Sequence, residues 1–549
     1  MRKRCALLLT MIAMLPVTSE LAAQLRPEVA GAQAAVVADH PLAAAAGLDV
    51  LRRGGNAMDA AITMAAVLAV VRPHMNGIGG DAFVLYRDGR NGKLYGLNGS
   101  GRAGRLAQPQ VFRDRGLTAV PDTGVLSVTI PGAVRAWSDA LRRFGTFGLA
   151  AALEPAIRYA EDGFPVTPKL AADIEADRAQ LMRDSHMREA FLVRDHAPAI
   201  GSLLRQQDLA RTLRTIADQG ADVLYAGPLA ARLANFAVSE GALFTLEDLA
   251  AHSSTWQEPL VSNYRDLKVV ALPPNSQGVA LLMQLNAADL LDVRSLRYNS
   301  AAYIHTLVEV KKRVFALRDR YVSDPALTEV PLDRLLSRDQ AREIAQAVQA
   351  GLTDHAGSQP RGGSGDTVLL CVVDQNGNAV ALIQSLYASF GSGRMVPETG
   401  IVLHNRGALF SLDPQHVNVV APGKRTYHTL APGMVLRGDN SLMMVFGSPG
   451  SDGQTQTMMQ VLNNIYLFGM TPQLAVDAPR YRSYPDGTLL LDAGVPEDVR
   501  AELARRGHTV RVQPTPSAEL GGAQVILVTP SGVKWIGADH RREAYGAAY

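Results

Sequence analysis

Cysteine is nearly missing from this chain, with two among 549 residues. Cys5 falls in the N-terminal leader described below, so the rest holds Cys371 alone and no internal disulfide can form there. No cysteine cluster exists to bind zinc or an iron–sulfur centre. Long runs of one charge are also missing. The 54 basic and 52 acidic residues leave a net charge of +2 and nothing that points to nucleic acid. Beyond the leader, no stretch is apolar and long enough to span a bilayer. There is no H-E-x-x-H, no G-x-S-x-G elbow, no G-x-G-x-x-G after a strand and no Gly-Lys-Ser/Thr after a glycine loop. Zinc peptidases, serine elbows, dinucleotide folds and nucleotide P-loops are therefore set aside. No fixed-period repeat and no long low-complexity segment occurs.

What is present begins with a leader. Arg2, Lys3 and Arg4 precede the apolar run Cys5 to Val17, and Ala22-Ala23 offers small residues for cutting. Residues 1–23 read as a secretory signal, with no stable membrane insertion after its removal. An exported chain without disulfides suggests a bacterial periplasmic or secreted protein. Length alone suggests roughly two to four domains, and the 47% hydrophobic content is ordinary for a globular chain.

Residues 41–71 are Ala/Leu/Val-rich and broken at Gly54-Gly55-Asn56, which predicts two helices about a tight turn. Ala82 to Arg87 and Leu94 to Leu97 read as a hairpin, and Gly124 to Ile130 as a further strand. Residues 133–351 are mostly helical, with a short strand at Leu267 to Leu272 and strong helical spacing at Ile304 to Tyr321. After Thr367 the pattern turns β-rich. Ile401 to Leu403, Ser441 to Phe446, Leu489 to Asp492, Thr509 to Gln513 and Ala523 to Thr529 read as strands. Thr455 to Tyr466 and Pro496 to Arg506 read as helices.

The most telling junction is Asp366-Thr367. A glycine-rich run, Arg361 to Gly365, ends there, and an apolar strand starts with no polar spacer. It turns at Asn376-Gly377, a two-residue hairpin signal, and returns as Ala379 to Ser385. A threonine between a cuttable loop and a buried strand suits a self-cleaving N-terminal nucleophile. Once the Asp366–Thr367 bond is cut, one residue supplies both the hydroxyl and, as its base, a new α-amine of pKa about 8. A β-branched residue merely opening a strand is the competing reading. Phe446 to Gly453 follows a strand, opens a helix and presents free backbone N–H groups, as an oxyanion hole or a plain turn. Arg102, on the loop Asn98 to Arg102, reads as a carboxylate clamp or a solvated turn arginine. Cys371 reads as a small buried hydrophobe. His305, Glu309 and Arg313 share a helix face and read as structural rather than metal-binding.

Together these residues resemble the γ-glutamyltransferases, N-terminal nucleophile hydrolases that cut themselves into a large and a small subunit. The likeness covers nearly the whole chain past the leader. It rests on Gly54 to Ala61, Gly77 to Gly80, Pro131-Gly132, His305…Glu309…Arg318 to Tyr321…Asp324-Pro325, Val372 to Asp374, Gly377 to Val380, Phe390 to Gly393, Pro422 to Arg425 and Gly447 to Gly450. The resemblance implies an α/β fold, the four-layer αββα sandwich, built as one unit from residues 24–366 and 367–549. It places Thr367 at the nucleophile, Ser385 at a second hydroxyl that orients it, and Gly450 and Ser451 at the oxyanion amides. It implies a small-molecule amide substrate, two subunits paired as a heterodimer, and no cofactor or metal. The departures concern the substrate. The better-known transferases begin the small subunit Thr-Thr-His where this chain has Thr367-Val368-Leu369. Tyr387 replaces an asparagine, Leu409 replaces the acid that holds a glutamyl α-amine, and His428-Thr429 replaces the Ser-Ser pair for the α-carboxylate. The family's substrate arginine aligns on Ser100, with Arg102 two residues away, and residues 412–422 are short for a lid loop. Arg102, Tyr387, Arg406, His428 and Thr429 are the expected substrate-binding residues. The Gly-Asp-Thr-Val start resembles a branch that includes oxamate amidohydrolase-like enzymes. Three readings follow: a γ-glutamyl hydrolase or transferase acting on amides such as glutathione, an amidohydrolase or acylase for another small acid amide, and an inactive binding module.

Overall fold

The computed structural model describes residues 26–352, 366–514 and 516–549. The predicted signal and the glycine-rich run before Asp366 lie outside them. Two seven-stranded antiparallel sheets carry the fold. One runs Val29–Gly31, Lys534–Ala538, Gln524–Val528, Leu442–Gly447, Gly433–Leu436, Leu267–Ala271 and Leu260–Tyr264 across its width. The other runs Tyr545–Ala548, Ala35–Ala38, Asp366–Val373, Ala379–Tyr387, Asp81–Arg87, Leu94–Gly99 and Thr255–Gln257. Both sheets mix strands from before and after Thr367, so cutting the chain there leaves the halves joined by ladder hydrogen bonds. Ala379–Tyr387, for instance, pairs with Asp81–Arg87 over seven rungs.

The strand Asp366–Val373, called the central strand below because it lies between Ala35–Ala38 and Ala379–Tyr387, shows why its sequence has no polar spacer. Leu369, Cys371 and Val373 point into the core between the sheets with Phe83, Val270, Met434 and Ile526. Val368, Leu370 and Val372 point the other way, onto the helices Pro41–Arg52 and Ala57–Val71. A strand covered on both faces needs apolar residues at every position. The helix Ala57–Val71 is likewise buried along its whole length, so its sequence is apolar all round. It starts at a capping box in which Asn56 and Asp59 bond each other's backbone. The helices Gly278–Asp289, Ala301–Tyr321 and Gln454–Tyr466 cover the far face of the other sheet. The result is the four-layer αββα sandwich. Cys371 is fully buried, and burial pushes its thiol pKa up, as a small core hydrophobe requires.

Two local expectations differ. Gly124 to Ile130 is not a strand. It forms one 3-10 turn, Val125–Ser127, and its apolar residues Val128 and Ile130 are buried as irregular chain against the helical core. Gly407 approaches the Ser127 carbonyl so closely that a Cβ there would lie 2.7 Å from it. The Asn376-Gly377 turn is not a two-residue hairpin either. The strands stop at Val373 and Ala379, and Asp374 closes the five-residue connection by accepting from the Asn376 and Asn378 amides at 2.9 and 3.0 Å. Gly377 takes the left-handed conformation with φ +76°. The hairpin of residues 81–99, the helix over 301–321 and the four strands expected after 440 fall within a few residues of expectation, while the strands Tyr481–Ser483, Lys534–Ala538 and Tyr545–Ala548 were not expected.

Candidate active site

Thr367 is the second residue of the central strand and is buried. Asp366 pairs with Tyr387 and Val368 with Gln384, so the register slips between them and Thr367 faces a bulge made by Ser385 and Leu386 on the neighbouring strand. Its Oγ1 donates to Ser385 Oγ at 3.2 Å, and Ser385 Oγ donates to the Asp366 carbonyl oxygen at 2.7 Å. The Tyr387 amide donates to the same Ser385 oxygen at 2.7 Å. The serine hydroxyl therefore links the predicted nucleophile to the carbonyl of the bond before it. Tyr387, opposite that bond, has φ +79°, an outlier for a bulky aromatic residue and a sign of strain held in place by its neighbours. Leu369 is anchored from the next strand, where Asp39 Oδ2 accepts its amide at 2.8 Å. Burial pushes the Asp39 carboxyl up to about 7 against that bond and the pull of Arg542 and Arg72.

Asp81 is the cross-strand partner of Ser385 and is fully buried. Its Oδ2 lies 3.1 Å from His428 Nε2, 3.3 Å from His404 Nδ1 and 3.7 Å from Arg406 Nε. Its Oδ1 accepts the Gly101 amide at 2.8 Å. Burial would raise the Asp81 carboxyl, but His404 and His428 outweigh it and hold it well below the usual range. Burial, with Arg406 beside it, pushes His428 down to about 3. Its Nδ1 accepts the Leu430 amide at 3.2 Å, which leaves the Nε2 proton for Asp81. A carboxyl with a depressed folded pKa stabilises above its unfolded value and stops doing so as pH falls through the folded one. Asp81 thus contributes above about pH 4, and the contribution is lost in stronger acid. Asp81→Ala leaves Arg406 buried without its counter-charge, a change expected to cost about 3–5 kcal/mol. Urea unfolding of the uncut Thr367→Ala chain should show a clearly lower midpoint with Asp81→Ala added and a smaller drop with Asp81→Asn.

The loop Gly447 to Gly453 lies past the same end of the central strand, since a Cβ on Gly447 would touch the Leu369 side chain at 3.0 Å. Gly450 and Ser451 have φ +125° and +52°. Gln277 Nε2 donates to the carbonyls of Thr429 and Ser451 at 2.6 and 3.0 Å. Arg318 Nη1 reaches Gln277 Oε1 at 3.2 Å and Asp452 Oδ1 at 3.0 Å, and the Tyr427 hydroxyl bonds the same two oxygens. A guanidinium buried between Phe315 and Tyr427 thereby braces the loop.

The predicted substrate residues divide into two groups. Arg406, His428 and Thr429 meet in the buried cluster: Arg406 Nη1 donates to Thr429 Oγ1 at 3.1 Å, and its Cζ lies 4.5 Å from the centre of the Tyr387 ring. Arg102 is apart from them, about one-third exposed, paired with Asp324 at 3.3 Å and donating to the Gly423 carbonyl at 3.1 Å. Leu409 is buried in an apolar cluster with Tyr387, Tyr427, Val279 and Met283. His305 and Glu309 are joined by His508, whose Nε2 lies 2.8 Å from His305 Nδ1. The three present ligand atoms within 4.8 Å of one another, and Glu309 is also held by Lys312 at 2.7 Å and Arg313 at 3.3 Å. Sequence reasoning missed Asp81, His404, Gln277 and Arg542 as site residues. Asp81 alone carried a local signal, a carboxylate opening a strand otherwise apolar as far as Tyr86.

A family profile described as gamma-glutamyltranspeptidase matches residues 43–549. The glutathione hydrolase-like YwrD proenzyme of Bacillus subtilis is 38% identical over 528 residues, covering 95% of this chain and 99% of that protein. The oxamate amidohydrolase proenzyme of Klebsiella pneumoniae is 38% identical over 527 residues, covering 93% and 98%. The crystal structure of cephalosporin acylase from Bacillus halodurans superposes with a TM-score of 0.89 at 37% identity, covering 99% of both chains.

Proposed function

Because this chain belongs to the gamma-glutamyltranspeptidase family of amide hydrolases and acyltransferases, we propose that Thr367 is its nucleophile, first against its own chain and then against amides of small acids. The observation that carries the proposal is the hydrogen-bonded path from Thr367 Oγ1 through Ser385 Oγ to the Asp366 carbonyl oxygen. In the uncut chain the Thr367 nitrogen is an amide and cannot act as a base. Ser385 fills that role as a relay. As Thr367 Oγ1 bonds to the Asp366 carbonyl carbon, its proton passes to Ser385 Oγ and the serine proton passes to the carbonyl oxygen. The C–N bond then breaks, the hydroxyl proton returns to the nitrogen, and an ester and a free amine remain. Water cleaves the ester, giving residues 24–366 and 367–549 if the leader has been removed. In the cut enzyme the Thr367 amine takes the hydroxyl proton, and Gly450 and Ser451 amides hold the oxyanion of each acyl transfer.

The substrate reading rests on Leu409. A γ-glutamyl α-ammonium placed against an apolar cluster loses hydration without gaining a partner. The enzyme accordingly hydrolyses or transpeptidates amides of small acids, γ-glutamyl amides such as glutathione among them, with no premium for the ammonium. The oxamate amidohydrolase relative, whose named substrate has no such group, supports this. The test is kcat/KM for glutathione beside its des-amino glutaryl analogue. Values within about 10-fold, or a preference for the analogue, are expected. A site built to pair a charged group discriminates by up to ~10⁴-fold, and a preference for glutathione above ~100-fold would overturn the reading.

A further inference from the structure

Arg542 lies just before the C-terminal strand and is buried. Its Nη1 is 3.1 Å from Asp366 Oδ1, and its Nη2 donates to the Ala518 carbonyl at 3.2 Å. Its Nε is buried with no partner among the described residues. The arginine stem lies on Gly522, where a Cβ would come within 2.5 Å of it. Asp366 and Arg542 also border a cavity of about 390 Å³. The acids across that cavity are engaged elsewhere: Asp173 with His74 and Lys169, Asp177 with Ser389, and Glu519 with Gln513 and Tyr484. Asp366 is the carboxylate that meets this guanidinium.

That contact bears on catalysis because self-cleavage and turnover form the same bond. Each makes an ester on Thr367 Oγ1, one with the Asp366 carbonyl carbon and the other with the acyl carbon of the substrate. The acyl groups share one place. In Asp366, two carbons, Cα and Cβ, separate the reacting carbonyl from a carboxylate already seated on Arg542. After cleavage Asp366 is a free chain end, and a buried guanidinium that loses its partner strongly favours another carboxylate. Arg102 is tied to Asp324, and Arg406 is sealed beside Asp81.

We propose that Arg542 is a carboxylate anchor used twice, on Asp366 during self-cleavage and on the acyl group's own carboxylate during turnover, and that it selects acyl groups with two carbons between carboxylate and reacting carbonyl. This rests on the Thr367 reading. The first arm of the test is self-cleavage of Asp366→Asn, Arg542→Gln and the double variant, followed by intact mass. A charge-assisted hydrogen bond contributes about 1.5–3 kcal/mol, so each single change should slow cutting ~10–100-fold. The double should be no slower than the slower single. The second arm is turnover by the cut enzyme of malonamate, succinamate and glutaramate, with butanamide as the neutral amide. The parent should peak at succinamate. Arg542→Gln should lose ~10–100-fold of kcat/KM on succinamate, mainly through KM, while butanamide changes less than ~3-fold and Arg542→Lys recovers part of the loss. Additive effects on cutting overturn the proposal, as does an equal loss on charged and neutral amides, a peak at another length, or a selectivity loss that follows Arg102→Gln instead. If Arg542→Gln does not cut at all, Asp366→Asn decides, because it breaks the same pair and normal cutting there is fatal to the idea. Failure of the Thr367 reading looks different: Thr367→Ala would still cut and turn over.

Discussion

Thr367→Ala should leave the chain in one piece and without amide turnover, because one oxygen attacks in both reactions. Removing a covalent nucleophile from a preorganised site typically costs ~10⁴- to 10⁶-fold in kcat, which takes turnover below ordinary detection. The uncut chain should still fold. Thr367 contributes no large apolar surface, and the ladders on both sides of its strand depend on backbone groups. Thr367→Ser keeps the oxygen and its contact with Ser385 while losing the methyl group that restricts the rotamer, so slower cutting and reduced turnover should both persist. Intact-mass spectrometry reads the first effect and amide hydrolysis the second. An active polypeptide that remains uncut in the parent would end the self-cleavage account, and normal processing of Thr367→Ala would move the nucleophile elsewhere.

Self-cleavage of Ser385→Ala should slow by ~10²- to 10⁴-fold, the range that a positioned proton-transfer group contributes. Two features make this serine more sensitive than a supporting hydroxyl would be. It is the group that both receives the Thr367 hydroxyl and donates to the Asp366 carbonyl, at 3.2 and 2.7 Å. It is also fully buried, so bulk water has no direct route to replace the relay. Ser385→Thr retains the hydroxyl and should recover part of the rate. A time course of chain cutting after purification of the uncut form measures the effect. Cutting of Ser385→Ala within ~3-fold of the parent would show that another group moves the proton.

The site was legible in the sequence where its signals are local. An apolar strand starting without a spacer, directly after a glycine-rich run, marks Thr367 as a candidate, and the family's motifs elsewhere in the chain make it the expected nucleophile. The left-handed turn at Gly450 and the helix that follows are local too. Other features were illegible for particular reasons. The apolar run Gly124 to Ile130 looks like a strand, yet burial as irregular chain satisfies its hydrophobicity equally well. The Asn376-Gly377 pair suggests a tight hairpin, but the Asp374 carboxylate caps the longer connection.

By itself, then, the sequence carried the family resemblance and the mixed α/β class, and it made Thr367 the expected nucleophile and Leu409 the expected loss of a glutamyl ammonium partner. The α/β class follows from periods of two and 3.6 residues, and the other expectations follow from residues matched to the family's motifs. Only the tertiary structure decided the electrostatics. Asp81 meets His404, Arg406 and His428, more than three hundred residues along the chain. Arg318 reaches Asp452 through 134 residues of separation, and Arg542 reaches Asp366 through 176. A charged side chain gives no local sign of whether it will lie in water or be buried against a partner. That choice belongs to the sheet register and the packing of the layers, which place distant segments side by side and remove the solvent between them.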